Sequence, residues 1–201
     1  MNILKQFGVE LKFEKKKSNI LNSMNVDVSN ESQSKDFIFT KSQTEAPKEG
    51  IIIFTDGASK GNGSKHSRAG CSVIFPDYPE YNIRHTLPKG STNNRAEYTA
   101  IQLAFEQINK LDFMKNQRVY IYTDSQLIID SMTKWIKAWK RNNWKKSDGK
   151  PVLNQDILKR IDELSCLRHV TYKHVRAHTG KDDWESIWNQ RADDEANLAC
   201  L

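Results

Sequence analysis

Three carboxylic acids stand where a hard cation or a shared proton would need them. Asp56 follows the apolar run Ile51-Ile52-Ile53-Phe54-Thr55 and opens into Gly57-Ala58-Ser59. A carboxylate at the end of a buried strand is rigid and only partly solvated, and the glycines at 57, 61 and 63 let the backbone turn and approach a ligand. Capping of a turn is the plainer alternative for an Asp in this setting. Asp124 repeats the arrangement after Tyr120-Ile121-Tyr122-Thr123. Two neighbouring strands that each end in Asp bring like charges together, which calls for a cation or a proton. Magnesium fits, because it takes a few carboxylates and keeps water and phosphate oxygens as its other ligands. Glu97, in Thr92-Asn93-Asn94-Arg95-Ala96-Glu97, opens a helical pattern whose Ala96 and Ala100 permit close packing; alone it reads as an ordinary solvated helix residue.

Strands and helices must alternate to place these groups. Ile51–Thr55 reads as a strand buried on both faces. The strand-like runs Ala69 to Phe75 and Tyr81 to Leu87 flank a turn at Pro76-Asp77-Tyr78-Pro79, which suggests an antiparallel meander. Residues 93–109 show one apolar helical face. Val119–Tyr122 is a fourth strand, and a helix capped by Ser125 runs to Ile136. A helical pattern over Asn154–Leu164, a strand over His169–Lys173 and a terminal helix from Asn189 complete the order, that of an α/β protein with helices on the faces of a mixed sheet.

At 201 residues the chain has room for one domain and a tail. Residues 1–49 are rich in Lys, Ser, Asn and Glu and end in Ala46-Pro47-Lys48-Glu49-Gly50, so they are read as a mostly disordered extension and 50–201 as the folded domain. Phe7, Val9, Leu11 and Phe13 alternate as in a strand, which leaves open a short docking element there. The net charge of +6 favours an acidic partner. Cys71, Cys166 and Cys200 are odd in number and lack CxxC spacing, so neither a disulfide framework nor a zinc site is suggested. No stretch has the length of a membrane span, and the Lys-rich N-terminus with Glu10 and Glu14 is unlike a secretory signal or mitochondrial presequence. A soluble, intracellular, monomeric protein is expected, with cytoplasm and nucleus not distinguished and any partner of the tail unspecified.

Five segments in order carry a resemblance: Thr55-Asp56-Gly57-Ala58-Ser59, Thr92-Asn93-Asn94-Arg95-Ala96-Glu97, Tyr122-Thr123-Asp124-Ser125, His174-Val175-Arg176-Ala177-His178-Thr179-Gly180 and Asn189-Gln190-Arg191-Ala192-Asp193. Together they resemble the successive motifs of type 1 ribonuclease H, across roughly residues 50–200. The resemblance implies a ribonuclease H-like fold with a five-stranded mixed sheet, and hydrolysis of the RNA strand of an RNA–DNA hybrid. It further implies two Mg²⁺ ions, with Mn²⁺ able to substitute, and products with 5′-phosphate and 3′-hydroxyl ends. By analogy Asp56 bridges both ions, Asp124 completes one site, and Glu97 and Asp193 hold the other. His178 matches the family's mobile histidine, which assists proton transfer or product release; a solvated loop histidine is the alternative.

The stretch from Lys134 to Ser147 interleaves Lys and Arg with Trp135, Trp139 and Trp144. Cations attract phosphates without regard to sequence, and flat rings pack against sugars or bases. The stretch is similar to the basic protrusion with which many type 1 enzymes grip the DNA strand. Trp139, Lys140, Lys145, Lys146 and Ser147 are assigned there, although the spacing of Trp135 and Trp139 also suits a core stripe. By the same resemblance Thr92 and Asn154 surround one DNA phosphate, and Asn62, Asn93 and Asn94 contact the strands near the cut, where reading of 2′-hydroxyls separates RNA from DNA.

Two positions depart from the family pattern. Gly90, beside Lys89, stands where many relatives place a phosphate-binding Arg. His178 and Asp193 are fifteen residues apart, and the extra Asp182-Asp183-Trp184-Glu185 is expected to alter the mobility of His178. A catalytically silent hybrid-binding module and a ribonuclease H-like domain of a mobile element are the rival readings; the presence of all four carboxylates speaks against the first.

Overall fold

The run Ile51-Ile52-Ile53-Phe54 is apolar throughout because its alternate residues feed two different cores. Ile51 and Ile53 join the larger one, with Val73, Val119, Ile121 and the buried faces of two helices, whereas Ile52 and Phe54 join a second with Ile74 and Tyr122. A strand with helices on both faces has no side to leave polar. The computed structural model describes residues 49–201, so the readings made for residues 1–48, including Phe7 to Phe13, lie outside the described part.

The five strands are β1 (Ile51–Lys60), β2 (Arg68–Ile74), β3 (Ile83–Thr86), β4 (Val119–Thr123) and β5 (Val170–His174). They form one sheet in the order β3-β2-β1-β4-β5. β1 to β3 form the expected antiparallel meander, and β4 and β5 add in parallel. The helices are α1 (Asn93–Lys110), α2 (Gln126–Asp130), α3 (Ile136–Arg141), α4 (Gln155–Ser165) and α5 (Trp184–Leu198). α1 and α4 cover the larger core. α5 covers the other face through Ala192, Trp184 and Trp188. Arg168 ties α1 to the strand that follows it: its guanidinium donates to Asn109 Oδ1 at 2.6 Å and to the Ile108 carbonyl at 3.2 Å, satisfying a helix C-terminus that has few partners of its own.

Several boundaries differ from the sequence reading. β1 does not stop before Asp56; it continues to Lys60 because the hairpin with β2 pairs Phe54 through Lys60. Its parallel pairing with β4, by contrast, covers only Ile51 to Phe54. Ser125 does not cap α2 with its hydroxyl; instead the Ser125 N–H donates to Thr123 Oγ1 at 3.1 Å. The helix begun there runs past Ile136 to Arg141, through a wide π-helical turn at Ser131–Trp135. β3 is shorter than Tyr81–Leu87, since Pro79–Tyr81 forms a 3-10 turn. The terminal helix starts at Trp184, not Asn189, because Asp183 caps it by accepting from the Ser186 N–H at 2.9 Å.

α1 meets β1 at Gly57, where a β-carbon would stand 2.3 Å from the Glu97 nitrogen and 2.6 Å from the Ala96 carbonyl carbon. Only a residue without a side chain allows this approach. Gly57→Ala must therefore push the first turn of α1 off the strand. We expect it to destabilise the fold by the ~1–3 kcal/mol typical of overpacking. Thermal unfolding followed by circular dichroism is the check, and an unchanged midpoint would show that α1 has room to shift.

Candidate active site

The parallel register of β1 and β4 sets the geometry of the site. Phe54 stands opposite Tyr122, and beyond this pair the two strands are no longer joined. Asp56 and Asp124 each lie two residues further on, so they come level, and the strand period of two points both to the face covered by α5. Glu97 reaches the same place from the first turn of α1. One carboxylate oxygen from each of Asp56, Glu97 and Asp124 can be chosen so that all three atoms lie within 4.8 Å of one another. Asp56 and Glu97 are buried and Asp124 is half-buried.

Asp193, half-buried on α5, stands outside this group of three but close enough for its charge to act on Asp56. It also accepts from Gln190 Nε2 at 3.2 Å and Asn197 Nδ2 at 2.9 Å. Asp124 is held by two contacts absent from the sequence reading: Asn189 Nδ2 donates to its Oδ2 at 3.3 Å, and His174 Nε2 lies 3.1 Å from its main-chain oxygen.

These charges have no cationic side chain to answer them: among the described residues, none of the four carboxylates forms an ion pair with Lys or Arg. Burial first, then the charges of Asp124 and Asp193, push the Asp56 carboxyl up to about 8. Burial, followed by Asp56 and Asp124, drives Glu97 well above the usual carboxylate range. Such a cluster keeps a proton or takes a cation. Its donors are all carboxylate oxygens, which suits a hard ion such as Mg²⁺. The thiol of Cys71 nearby is pushed up to about 12, mainly by burial and then by Asp56 and Glu97, so without a cation it stays protonated at neutral pH.

The residues assigned to the hybrid fall into two groups. Thr92 caps α1 by accepting from the Arg95 N–H at 3.2 Å, and Asn62 Oδ1 accepts from the Asn93 N–H at 3.1 Å. Arg95, missed in the sequence, joins this group to Asn154: its Nη1 donates to Asn154 Oδ1 at 3.3 Å while Nη2 and Nη1 both engage the Asp156 carboxylate. Asn94 is exposed beside them. Gly90 sits at φ 86°, with its N–H donating to the Ser67 carbonyl at 3.0 Å. An Arg there would carry the strain of a left-handed backbone, a local reason for the departure.

The second group lies on α3 and the loop after it. Trp139 and Trp144 are half-buried and pack against the larger core, so the core-stripe alternative holds in part; Trp135 is the more exposed ring. Lys140 is bound to Asp162 of α4 at 2.6 Å, and Lys146 lies 3.7 Å from Asp148. Lys145 and Ser147 are exposed. His178 is exposed on the loop before α5 at φ 48°, and the three-carboxylate cluster does not include it. The segment Asp182–Glu185 is no floppy insertion, since Asp183 and Trp184 start α5.

A mixed sheet with α-helices on both faces, and a carboxylate cluster compatible with a divalent cation where two parallel strands part, defines an α/β class. The RNase H family model matches residues 48–200, and the chain belongs to that family. It is 34% identical over 146 residues to Ribonuclease H1 of Rattus norvegicus, covering 72% of this chain and 48% of that protein. It is 36% identical over 151 residues to Ribonuclease H of Thiobacillus denitrificans, covering 75% and 93%. The chain thus spans about half the length of the mammalian relatives it matches. Among solved structures, LC9-RNase H1, described as a type 1 RNase H with the type 2 active-site motif, superposes with a TM-score of 0.59 at 25% identity over 78% of this chain and 74% of that one. The PFV RNase H domain superposes at 0.63 with 21% identity over 77% and 96%.

The raised Asp56 carboxyl has a consequence for stability. Without a cation, the folded protein keeps this proton up to about pH 8, while the unfolded chain releases it near 3.8, the ordinary value for Asp. The stabilisation is complete below the unfolded value and lost as pH rises through about 8. In chelator, the unfolding free energy should therefore fall between pH 5 and pH 8, by at most about 1.4 kcal/mol per pH unit from this group, and the melting midpoint with it. Asp56→Asn should flatten the profile. Equal slopes for the two proteins would show that Asp56 is ionised throughout.

Proposed function

We propose that residues 50–201 form a magnesium-dependent endonuclease that hydrolyses the RNA strand of RNA–DNA hybrids and leaves 5′-phosphate and 3′-hydroxyl ends. The observation that carries the reading is the cluster of Asp56, Glu97 and Asp124, with no ion pair to Lys or Arg among the described residues, in a chain of the RNase H family. Relatives named Ribonuclease H support the substrate class. Asp56, Glu97, Asp124 and Asp193 would hold two divalent ions; when bound, these supply Lewis acidity for the attacking water and the leaving oxygen.

The chain's own residues do the rest. Asp56 would release its proton when a cation binds, and the paired strands β1 and β4 hold the main chain that carries it. Asn62, Thr92, Asn93, Asn94 and Asn154 present short polar groups at the first turn of α1, suited to a minor groove and its 2′-hydroxyls. His178, on its exposed loop, would move a proton or help product leave.

The carboxylates and the basic stretch give separate tests. Asp56→Asn or Asp124→Asn should nearly abolish cleavage of a labelled hybrid in Mg²⁺ while leaving hybrid binding intact, and RNA–RNA and DNA–DNA duplexes should survive the wild-type protein. Substantial turnover by either variant at saturating Mg²⁺ would sink the proposed site. Lys137 and Lys145 have exposed side chains with no ion pair among the described residues. Changing both to Ala should raise KM and lower the log–log salt slope by up to ~0.9 per lost phosphate contact, with kcat little changed. Parallel salt slopes for mutant and wild type would make them a solvated face only.

A further inference from the structure

Asn189 is buried to 4% exposure on α5, a costly place for an amide unless it is hydrogen-bonded. Its Nδ2 donates to Asp124 Oδ2, and since a carboxylate can only accept, the amide must present its NH₂ group there. The main chain around Asp124 is fixed by other contacts: the Val175 N–H donates to the Thr123 carbonyl at 3.0 Å, and His174 meets the Asp124 carbonyl. None of these restrains the carboxylate itself. Among the described contacts, the side chain hydrogen-bonded to it is Asn189.

The helix that carries Asn189 is pinned on either side of it. Trp184 packs edge-on against Phe54 and Tyr122, with ring centroids 5.2 and 5.6 Å away. Ser72, opposite Asp56 in the β1–β2 register, donates its hydroxyl to the Ala192 carbonyl at 2.6 Å. One turn beyond Asn189, on the same helix face, Asp193 lies close enough for its charge to act on Asp56. A single turn of α5 thus brings a donor to one strand-end carboxylate and a further carboxylate to the other.

Half-buried Asp124 stands among like charges, and repulsion favours a rotamer swung towards solvent. A lysine at position 189 would hold it inward but would also supply positive charge and compete with a cation. An amide holds it without changing the charge of the site. We propose that Asn189 is a positioning residue that keeps the Asp124 carboxylate turned towards Asp56 and Glu97, so that the cluster is assembled before a divalent ion arrives. The inference rests on the reading of these carboxylates as metal-holding.

The test is calorimetric titration of the full chain with Mg²⁺ and with Mn²⁺, free of nucleic acid, for wild type, Asn189→Leu and Asp124→Asn. Leucine keeps the approximate size and removes the donor. Loss of a hydrogen bond that orients a metal ligand typically weakens binding or activity by about 10- to 100-fold. Asn189→Leu should show that loss in cation affinity, with the Mg²⁺ dependence of cleavage moved to higher concentration and KM for the hybrid unchanged. If Asn189→Leu titrates as wild type while Asp124→Asn does not, the positioning role is wrong and the carboxylate site stands. If Asp124→Asn also titrates as wild type, the carboxylate reading falls and takes this role with it. Should Asn189→Leu fail to fold, the wild-type Asn189 side-chain amide resonance decides: it should shift as Mg²⁺ is added, and an unmoved resonance overturns the proposal.

Discussion

Repulsion among carboxylates with no cationic side chain beside them is the constraint around which the structure is organised. Asp56 and Glu97 are buried, and burial alone disfavours their charged forms before any neighbour is counted. Asp124 and Asp193 add to the penalty at Asp56. Left to themselves, such groups would swing apart or stay protonated. That they stay together means the strands, α1 and α5 are held in place by packing elsewhere, and the site draws on that stability.

The packing that does so is traceable. β1 is shared by both cores, so it cannot move without disturbing each face of the sheet. α1 approaches it so closely that Gly57 has no room for a methyl group. α5 is fastened by aromatic contacts at Trp184, by the Ser72 hydroxyl and by the ion pair between Arg84 and Glu195, none of which involves a carboxylate of the cluster. Rigidity is supplied around the cluster, where apolar groups and paired charges come together without penalty, and the strain is confined to the centre.

Much of this was legible in the sequence because it depends on local pattern. The runs Ile51–Thr55 and Tyr120–Thr123, each followed by Asp, announced two strands with a carboxylate at matching positions, and parallel pairing brings them level. The helical face from Ala96 to Ile108 was equally plain. What local pattern does not carry is pairing. β1 outlasts its apolar run because β2 continues beside it, and no residue within β1 reports that. Asn189 and Arg95 lay inside the quoted motifs, yet their partners are 65 and 59 residues away, so their types gave no hint of what they bind. Trp184, read as an insertion, is instead an anchor of α5, since its ring packs edge-on against the stacked Phe54 and Tyr122, a contact the sequence does not reveal.

The same long-range pairing divides the basic stretch. Its Lys and Trp residues suggest a uniform grip on a polyanion, but Lys140 is occupied by Asp162, and Trp139 and Trp144 support the core. The charge available to a phosphate backbone is therefore smaller than the count of cations implies, and lies on the exposed lysines. On the other side of the balance, the carboxylate cluster would repel that backbone at the point of attack. A divalent ion changes both terms at once, neutralising the carboxylates and offering phosphate oxygens a positive partner. On the proposed reading, then, a cation would act on the scissile phosphate alone, while the hold on the rest of the duplex would come from the exposed lysines and from the polar groups around the first turn of α1.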